Sequence, residues 1–230
     1  MTKDCKVYYY IHDFVSRQEG DISQNSREKL SSQEQKDISG KILEYAFFDF
    51  FGEKFLWDKV LREEGGKPVY AVEGHFFNIS HCSHGIAAAL SKVPVGVDIE
   101  GSRRVKTLTV KKSMDDEEKA YIGPMEGEWL KEEQMRRFFH LWTLKESYVK
   151  MTGQGIRMPL TQICFSLKDG QVLDGTEDRR ILYAKNRVLK PWGRESVSCV
   201  FPVPGFSLAI TLGWDGDKKP EILFDKVINV

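Results

Sequence analysis

The chain has 230 residues, 41% of them hydrophobic, which is enough for one large domain or two small ones with a buried core. Its 34 Lys and Arg residues balance 34 Asp and Glu residues, so the overall charge predicts neither nucleic-acid binding nor a membrane-surface location. No segment approaches the ~18 uninterrupted apolar residues of a membrane span, and the first residues lack the apolar stretch of a signal peptide. We therefore expect a globular, cytoplasmic protein.

The first half of the chain predicts helices followed by an antiparallel meander. An aromatic run at Val7–Ile11 predicts a strand, and the polar stretch Arg17–Lys36 is typical of loops and helix starts. Apolar residues at helical spacing predict helices at Ile38–Phe51 and Glu53–Arg62, with a break at Gly52. After the turn-forming residues Gly65 to Pro68, the predicted strands are Val69–Val72, Phe76–Ser80, Gly85–Leu90 and Gly96–Glu100.

The second half repeats this order of helices and strands. Helices are predicted at Lys111–Tyr121 and Trp129–Met151. The strands that follow are Ile163–Leu167, Ile181–Lys185, Ser196–Phe201 and Phe206–Leu212. We therefore expect an α+β protein of two related lobes, residues 1–102 and 103–230, with a small-molecule site in the cleft between them.

The cysteines are scattered and form no CxxC pair, which argues against a zinc ribbon or a thioredoxin-like redox centre. They are Cys5, Cys82, Cys164 and Cys199, and we expect reduced thiols. His81, Cys82 and His84 offer three potential zinc ligands within four residues. Because no second ligand cluster accompanies them, zinc is the weaker hypothesis.

Two acidic segments stand out. On a strand with a period of two, Gly96, Asp98 and Glu100 share one face, so two carboxylates project side by side. On the predicted helix, Glu146 lies opposite the apolar stripe, and Lys150 shares its face one turn later. The three carboxylates together would suit Mg²⁺. The alternatives are an acidic strand end in water and a surface ion pair of Glu146 with Lys150.

Four segments of the chain resemble, in order and spacing, the signatures of Sfp-type 4′-phosphopantetheinyl transferases. They are Gly66–Pro68, Phe77–His81, Gly96–Glu100 and Trp142–Lys150. The resemblance spans residues 65–155, the apolar pattern to about Leu212 is compatible with it, and the first 60 residues match weakly.

The resemblance implies a pseudo-two-fold, two-lobed α+β monomer with antiparallel sheets and packed helices. Such an enzyme transfers the 4′-phosphopantetheine group of coenzyme A to a serine of an apo acyl or peptidyl carrier protein and releases adenosine 3′,5′-bisphosphate. It implies Mg²⁺, with Mn²⁺ as the alternative ion, and coenzyme A as co-substrate. Two rival hypotheses remain, a metal-dependent nucleotide pyrophosphatase and a non-catalytic module that binds coenzyme A or a carrier.

The resemblance also implies roles for individual residues. The implied metal ligands are Asp98, Glu100 and Glu146, with Glu146 also the base. The implied contacts to coenzyme A are Lys67, Ser80, His81 and Lys150, the last on the phosphate next to the reacting centre. Taken alone, His81 would be a structural histidine and Lys67 part of a generic turn. Lys145 would have an indirect role, because it points about 100° away from Glu146.

The resemblance has one departure and one further implication. Where many members carry an arginine-containing stretch for the coenzyme's 3′-phosphate, this chain has Lys36–Lys41. The region Val105–Gly123 would receive the carrier, with Met114 and Tyr121 as apolar contacts. The neighbouring basic residues that would favour an acidic carrier are Arg103, Arg104, Lys106, Lys111 and Lys112.

Overall fold

The structure is a computed structural model that describes residues 4–12, 29–172, 181–188, 195–214 and 220–227. Within these ranges the helices are α1 (Ser32–Phe51), α2 (Thr107–Ser113), α3 (Asp116–Ile122) and α4 (Glu132–Thr152). The strands are β1 (Cys5–Ile11), β2 (Val60–Arg62), β3 (Pro68–Tyr70), β4 (Phe76–Cys82), β5 (Gly85–Ser91), β6 (Val95–Gly101), β7 (Phe165–Val172), β8 (Leu182–Asn186), β9 (Val197–Val203), β10 (Phe206–Leu212) and β11 (Ile222–Lys226). No helix in the described ranges is long and apolar enough to cross a membrane.

The strands form two main sheets. The first sheet has the order β11-β1-β5-β4, in which β1 and β11 are parallel and the other neighbours antiparallel. The second sheet has the order β6-β10-β9-β8-β7 and is antiparallel throughout. Strands β2 and β3 form a separate hairpin. The predicted α+β class, with antiparallel sheets and packed helices, is confirmed.

Three buried apolar clusters separate four layers. In the first cluster α1 packs on one face of the first sheet, with Phe47 and Ile86 among its members. The other face of that sheet packs against the second sheet, where Ala87 and Val97 belong to one cluster. The far face of the second sheet lies under α4, whose Leu144 is fully buried. The layers therefore run α1, first sheet, second sheet, α4.

Local signals set the ends of α1. Ser31 and Glu34 form a reciprocal capping box at its start, and Gly52 ends it in the left-handed conformation with φ 73°. The helix predicted at Glu53–Arg62 is wrong, because that segment forms a 3-10 turn at Trp57–Lys59 and then β2. So short an apolar pattern does not distinguish helix from strand, and pairing with β3 decides it.

Other predicted elements need smaller corrections. The helix predicted at Lys111–Tyr121 is two helices, because Asp115 begins α3 with its own capping box to Glu118. The sequence pattern predicts no strand at the position of β11. Of the predicted polar stretch, residues 17–28 lie outside the described residues, and its end contains the start of α1.

Strand β6 belongs to the second sheet, so the prediction that it continues the first meander is wrong. Pro94 precedes it and has no N–H to extend a ladder. The Pro94 carbonyl instead accepts a hydrogen bond of 2.8 Å from the N–H of Gly213, just beyond β10. Strand β6 then pairs with β10 along its whole length. The lobe boundary at residue 102 stays a prediction, although β6 and β11 each join the sheet of the other half.

Helix α4 lies directly on β6 at Gly96. A Cβ atom at Gly96 would come within 2.0 Å of the Ser147 carbonyl oxygen and 2.3 Å of the Met151 nitrogen. Beside it, small hydroxyl side chains continue the contact, since the hydroxyls of Ser147 and Thr211 are 2.8 Å apart. Thr211 is the register partner of Gly96 on β10. The absence of a side chain at Gly96 therefore sets the distance between the helix and the sheet.

We predict that Gly96→Ala lowers the free energy of unfolding by at least about 3 kcal/mol, because the added methyl group would force the backbone of α4 away from β6. Gly101→Ala, in the same strand, is the matched control, since its Cβ would meet only the Phe206 ring, at 3.4 Å. Urea unfolding of both variants checks this. Equal stabilities would contradict the argument.

Candidate active site

The candidate site lies where the edges of the two sheets meet. Strand β4 is the last strand of the first sheet and β6 the first of the second. Side chains of β4 join them: Asn78 Oδ1 accepts from the N–H of Val97 at 2.8 Å, and Ser80 Oγ accepts from the N–H of Ile99 at 3.4 Å. Two polar side chains thus satisfy backbone groups at an edge that would otherwise be buried without partners.

Asp98 is the centre of a buried polar group at this junction. Only 5% of its surface is exposed. Its Oδ1 accepts hydrogen bonds from Ser80 Oγ at 2.8 Å and from Lys150 Nζ at 2.7 Å. Lys150 Nζ also donates to Ser80 Oγ at 2.7 Å. The second oxygen, Oδ2, is buried and has no hydrogen-bond partner among the described residues.

Glu146 faces the same junction from α4. Burial and then the negative charge of Asp98 raise its pKa, Lys150 opposes this, and Glu100 adds a smaller increase. The carboxylate of Glu100 forms two hydrogen bonds with Arg103, at 2.5 and 3.4 Å, and the guanidinium lies 5.0 Å from the Phe139 ring centre. The three predicted carboxylates therefore act on one another electrostatically across the contact of β6 and α4.

This donor set fits a hard divalent cation. Carboxylate oxygens are the ligands that Mg²⁺ and Mn²⁺ prefer, and a few carboxylates suffice when substrate phosphates complete the coordination. The unpartnered buried Oδ2 of Asp98 offers an oxygen for such an ion. Burial first, and then repulsion from Asp98 and Glu100, raises the pKa of Glu146, and a divalent cation would relieve the repulsion.

The predicted coenzyme contacts are distributed around this centre. Ser80 and Lys150 belong to it, as described. Lys67, in the hairpin of β2 and β3, donates from Nζ to the Met151 carbonyl oxygen at 2.9 Å, at the C-terminal end of α4. His81 is exposed, and strand alternation puts it on the opposite face of β4 from Ser80.

A second acidic cluster lies elsewhere in the fold. Ligand atoms of Asp115, Glu118 and Cys164 lie within 4.8 Å of one another. Their oxygens already accept from protein donors: Lys145 binds Glu118 at 2.7 Å, and Arg187 binds Asp115 at 3.0 Å. The Lys145 ammonium and the Arg187 guanidinium therefore balance the negative charges of Glu118 and Asp115.

In the basic segment after β6, some side chains contact neighbouring residues and others are exposed to solvent. Arg104 lies 4.4 Å over the Trp129 ring, and Lys106 binds Glu128 at 2.7 Å. On α2, Lys111 and Lys112 are exposed, and Leu108 beside them is 55% exposed.

Of the two apolar residues expected to contact a carrier, one is excluded. The expectation for Met114 is wrong, because it is 1% exposed and packs in the core beneath α2. Tyr121 is half-buried, with the Arg137 guanidinium over its ring at 5.6 Å.

Three residues at or near the site were not assigned these roles from sequence. Asn78 stands within a predicted motif, but only the meeting of two sheet edges reveals its acceptor role. Lys145 was expected to act indirectly, and its partner Glu118 was not predicted. The spacing of Asp115 and Glu118 indicates a capping box, which gives no hint of the lysine.

Comparison with known proteins finds a similarity over part of the chain. Residues 94–198, which include the three predicted metal ligands and Lys150, match the 4′-phosphopantetheinyl transferase superfamily. This part of the chain is similar to that superfamily. Strand β6 and helix α4, which carry these four residues, lie within the matched segment, whereas β4 and β10 lie outside it.

Individual proteins similar to this chain are also 4′-phosphopantetheinyl transferases. A 4′-phosphopantetheinyl transferase of Bacillus subtilis is 36% identical over 112 residues, 46% of this chain and 46% of that protein. The 4′-phosphopantetheinyl transferase Sfp of Bacillus subtilis (strain 168) is 29% identical over 143 residues, 61% of this chain and 62% of that protein. The 4′-phosphopantetheinyl transferase gsp of Aneurinibacillus migulanus is 32% identical over 130 residues, 55% and 48%. The chain thus spans about half to three fifths of the length of these relatives.

We predict that Asn78→Ala destabilises the protein by about 1–3 kcal/mol, because it leaves the buried N–H of Val97 without an acceptor. Asn186→Ala is the comparison. Asn186 Oδ1 also accepts from a backbone N–H at 2.8 Å, but the bond to Val188 is local and only partly buried. Urea unfolding should show the larger loss for Asn78→Ala, and the reverse order would contradict a junction held by this amide.

Proposed function

We propose that this protein transfers the 4′-phosphopantetheine group of coenzyme A to a serine of an apo carrier protein, releasing adenosine 3′,5′-bisphosphate. One observation carries the proposal: Asp98, with a bare buried oxygen, is grouped with Glu146, Glu100 and Lys150 at the junction of two sheets. Carboxylates for a divalent ion beside an ammonium are what transfer from a pyrophosphate requires. The match of residues 94–198 to the 4′-phosphopantetheinyl transferase superfamily supports the same reaction.

In this proposal Asp98, Glu100 and Glu146 hold Mg²⁺ or Mn²⁺. The bound ion would neutralise the pyrophosphate and polarise its phosphorus–oxygen bonds. Ser80 and Lys150 both donate hydrogen bonds to Oδ1 of Asp98. These bonds would fix the orientation of the carboxylate and leave Oδ2 available to the ion. Such support from neighbouring donors orients a ligand before the ion binds.

The protein's own groups would then carry the transfer. The carrier serine hydroxyl attacks the β-phosphorus, and the Glu146 carboxylate accepts its proton, directly or through a water. A new P–O bond forms to the serine. The bond to the bridging oxygen breaks, and its electron pair leaves with adenosine 3′,5′-bisphosphate.

The cations and donors around the centre would bind the coenzyme. Lys150, half-buried beside Asp98, would contact the phosphate next to the reacting centre. Ser80 would present its hydroxyl at the same place, and the exposed His81 would donate to a phosphate from the rim. Lys67, at the end of α4, would lie toward the nucleotide. Ammonium groups suit this role as compact charges on flexible side chains.

We predict that intact-mass spectrometry of apo acyl and peptidyl carrier proteins, incubated with this protein, coenzyme A and Mg²⁺, shows the gain of one phosphopantetheine, which EDTA abolishes. Glu146→Gln should lower kcat by about 100-fold or more, since it removes the proposed base, and should leave circular dichroism unchanged.

Two results would count against this prediction. Near-normal turnover of Glu146→Gln would remove this residue from the mechanism. Release of nucleotide without any gain on the carriers would instead indicate a pyrophosphatase, and bound, unreacted coenzyme A would indicate a binding module.

We further propose that the carrier docks on the exposed face of α2. Leu108 provides an apolar contact flanked by Lys111 and Lys112, and all three are exposed on one short helix. Arg103 is less available to a carrier than its sequence position suggests, because Glu100 holds its guanidinium. Complementary charge would guide an acidic carrier to this face.

We predict that Lys111→Glu/Lys112→Glu raises the apparent carrier KM about fivefold to tenfold at low salt, and by less at high salt, because exposed charges are screened. The KM for coenzyme A should stay unchanged. Lys185→Glu/Lys226→Glu is the control: it makes the same charge change at exposed positions on β8 and β11. Equal effects of the two double variants would show that net charge, and not α2, determines the KM.

A further inference from the structure

An ion pair without any solvent exposure lies one residue away from the proposed base. Lys145 and Glu118 each have 0% of their side chains exposed, and Lys145 Nζ lies 2.7 Å from Glu118 Oε2. The ammonium has three donors. The other two reach the Ser113 and Leu160 carbonyl oxygens, each at 2.8 Å. The ammonium is therefore fully satisfied by the protein.

The carboxylate of this pair is equally engaged. Glu118 Oε1 accepts from the N–H of Phe165 at 3.0 Å, and Oε2 accepts from the N–H of Asp115 at 2.9 Å. One buried pair thus connects α4 with the end of α2, the start of α3, the 3-10 turn at Leu160–Gln162 and the first residue of β7.

Stability does not explain this arrangement. Taking two charges out of water offsets most of their attraction, and a well-packed apolar pair of similar volume is often as stable. What an apolar pair would lack is direction, because three hydrogen bonds from one ammonium fix α2 and α3 in one orientation. These helices have seven residues each, too short to be stable without tertiary contacts.

We propose that Lys145 and Glu118 are positioning residues that hold α2 and α3 in a fixed relation to Glu146 for carrier docking. The inference rests on the proposed function, because it assigns the exposed face of α2 to the carrier. Successive residues of α4 have separate roles, since Lys145 points into the protein and fixes the docking segment, whereas Glu146 points to the junction. The pair acts on geometry and touches neither substrate.

The test removes both charges together. Lys145→Met alone leaves a buried carboxylate without its cation, so Lys145→Met/Glu118→Gln is the main variant. Glu118→Gln alone would leave the buried Lys145 ammonium without its anion, although its two carbonyl acceptors remain. We expect the double variant to raise the KM for apo acyl carrier protein about tenfold, with the KM for coenzyme A changed by less than about twofold.

Two readouts do not depend on turnover. Amide hydrogen exchange in residues 107–122 should be about tenfold faster in the double variant, and direct binding of apo acyl carrier protein should weaken in parallel with the KM. These readouts separate the inference from the proposed function, because wild-type protein that binds a carrier without transferring to it would fail only the latter.

Lys119→Met/Asp116→Asn is the matched control. It removes an ion pair of 3.0 Å from the same helix α3, but at the surface, where Asp116 is 99% exposed. It should change neither exchange nor carrier KM. The proposal is overturned if the main variant retains wild-type exchange in 107–122 and wild-type carrier KM, or if the KM values for carrier and coenzyme A rise equally.

Discussion

The close contact of α4 with β6 at Gly96 is the constraint on which the site depends. The backbones approach so closely that a single Cβ would meet the Ser147 carbonyl oxygen at 2.0 Å. Two residues further along β6, Asp98 therefore lies within hydrogen-bond distance of Lys150 on the helix, and the negative charge of Asp98 raises the pKa of Glu146. A helix held further out would leave these groups separated by water, where their interaction would be much weaker.

The junction of the two sheets explains how a carboxylate can be buried there. Sheet edges present unpaired backbone groups, and such edges are normally paired, covered or charged. Here Asn78 and Ser80 accept the N–H groups of β6, so β4 and β6 lie side by side without a ladder between them. The gap that these side chains span is polar, and it accommodates Asp98 and the Lys150 ammonium. The site is a consequence of joining two sheets through side chains.

Much of this fold could be predicted from the sequence because most strands and the long helices carry clear periodicity. Asp98 and Glu100 were placed on one face of a strand, and Glu146 and Lys150 on one face of a helix, by local geometry alone. What local pattern could not supply was pairing. β6 leaves the meander for β10, and β11 returns to β1, through contacts between residues far apart in the chain. The helix prediction at Glu53–Arg62 is wrong for the same reason, since pairing with β3 decides the conformation of its end.

The same distinction separates Glu146 from Lys145. Both are charged, adjacent and on α4, and helical geometry turns them about 100° apart. For Glu146 the relevant neighbours are Asp98 and Glu100 on β6, and the sequence motif Gly96–Glu100 already indicates them. For Lys145 the partner is Glu118 on the short helix α3. The local sequence predicts only that Glu118 forms a capping box with Asp115, so it does not indicate the lysine. A buried ion pair is weak support for stability, because its cost is offset only when its donors and acceptors are matched. The complete matching around Lys145 therefore indicates that α4 organises two surfaces at once, the junction on one side and α2 with α3 on the other.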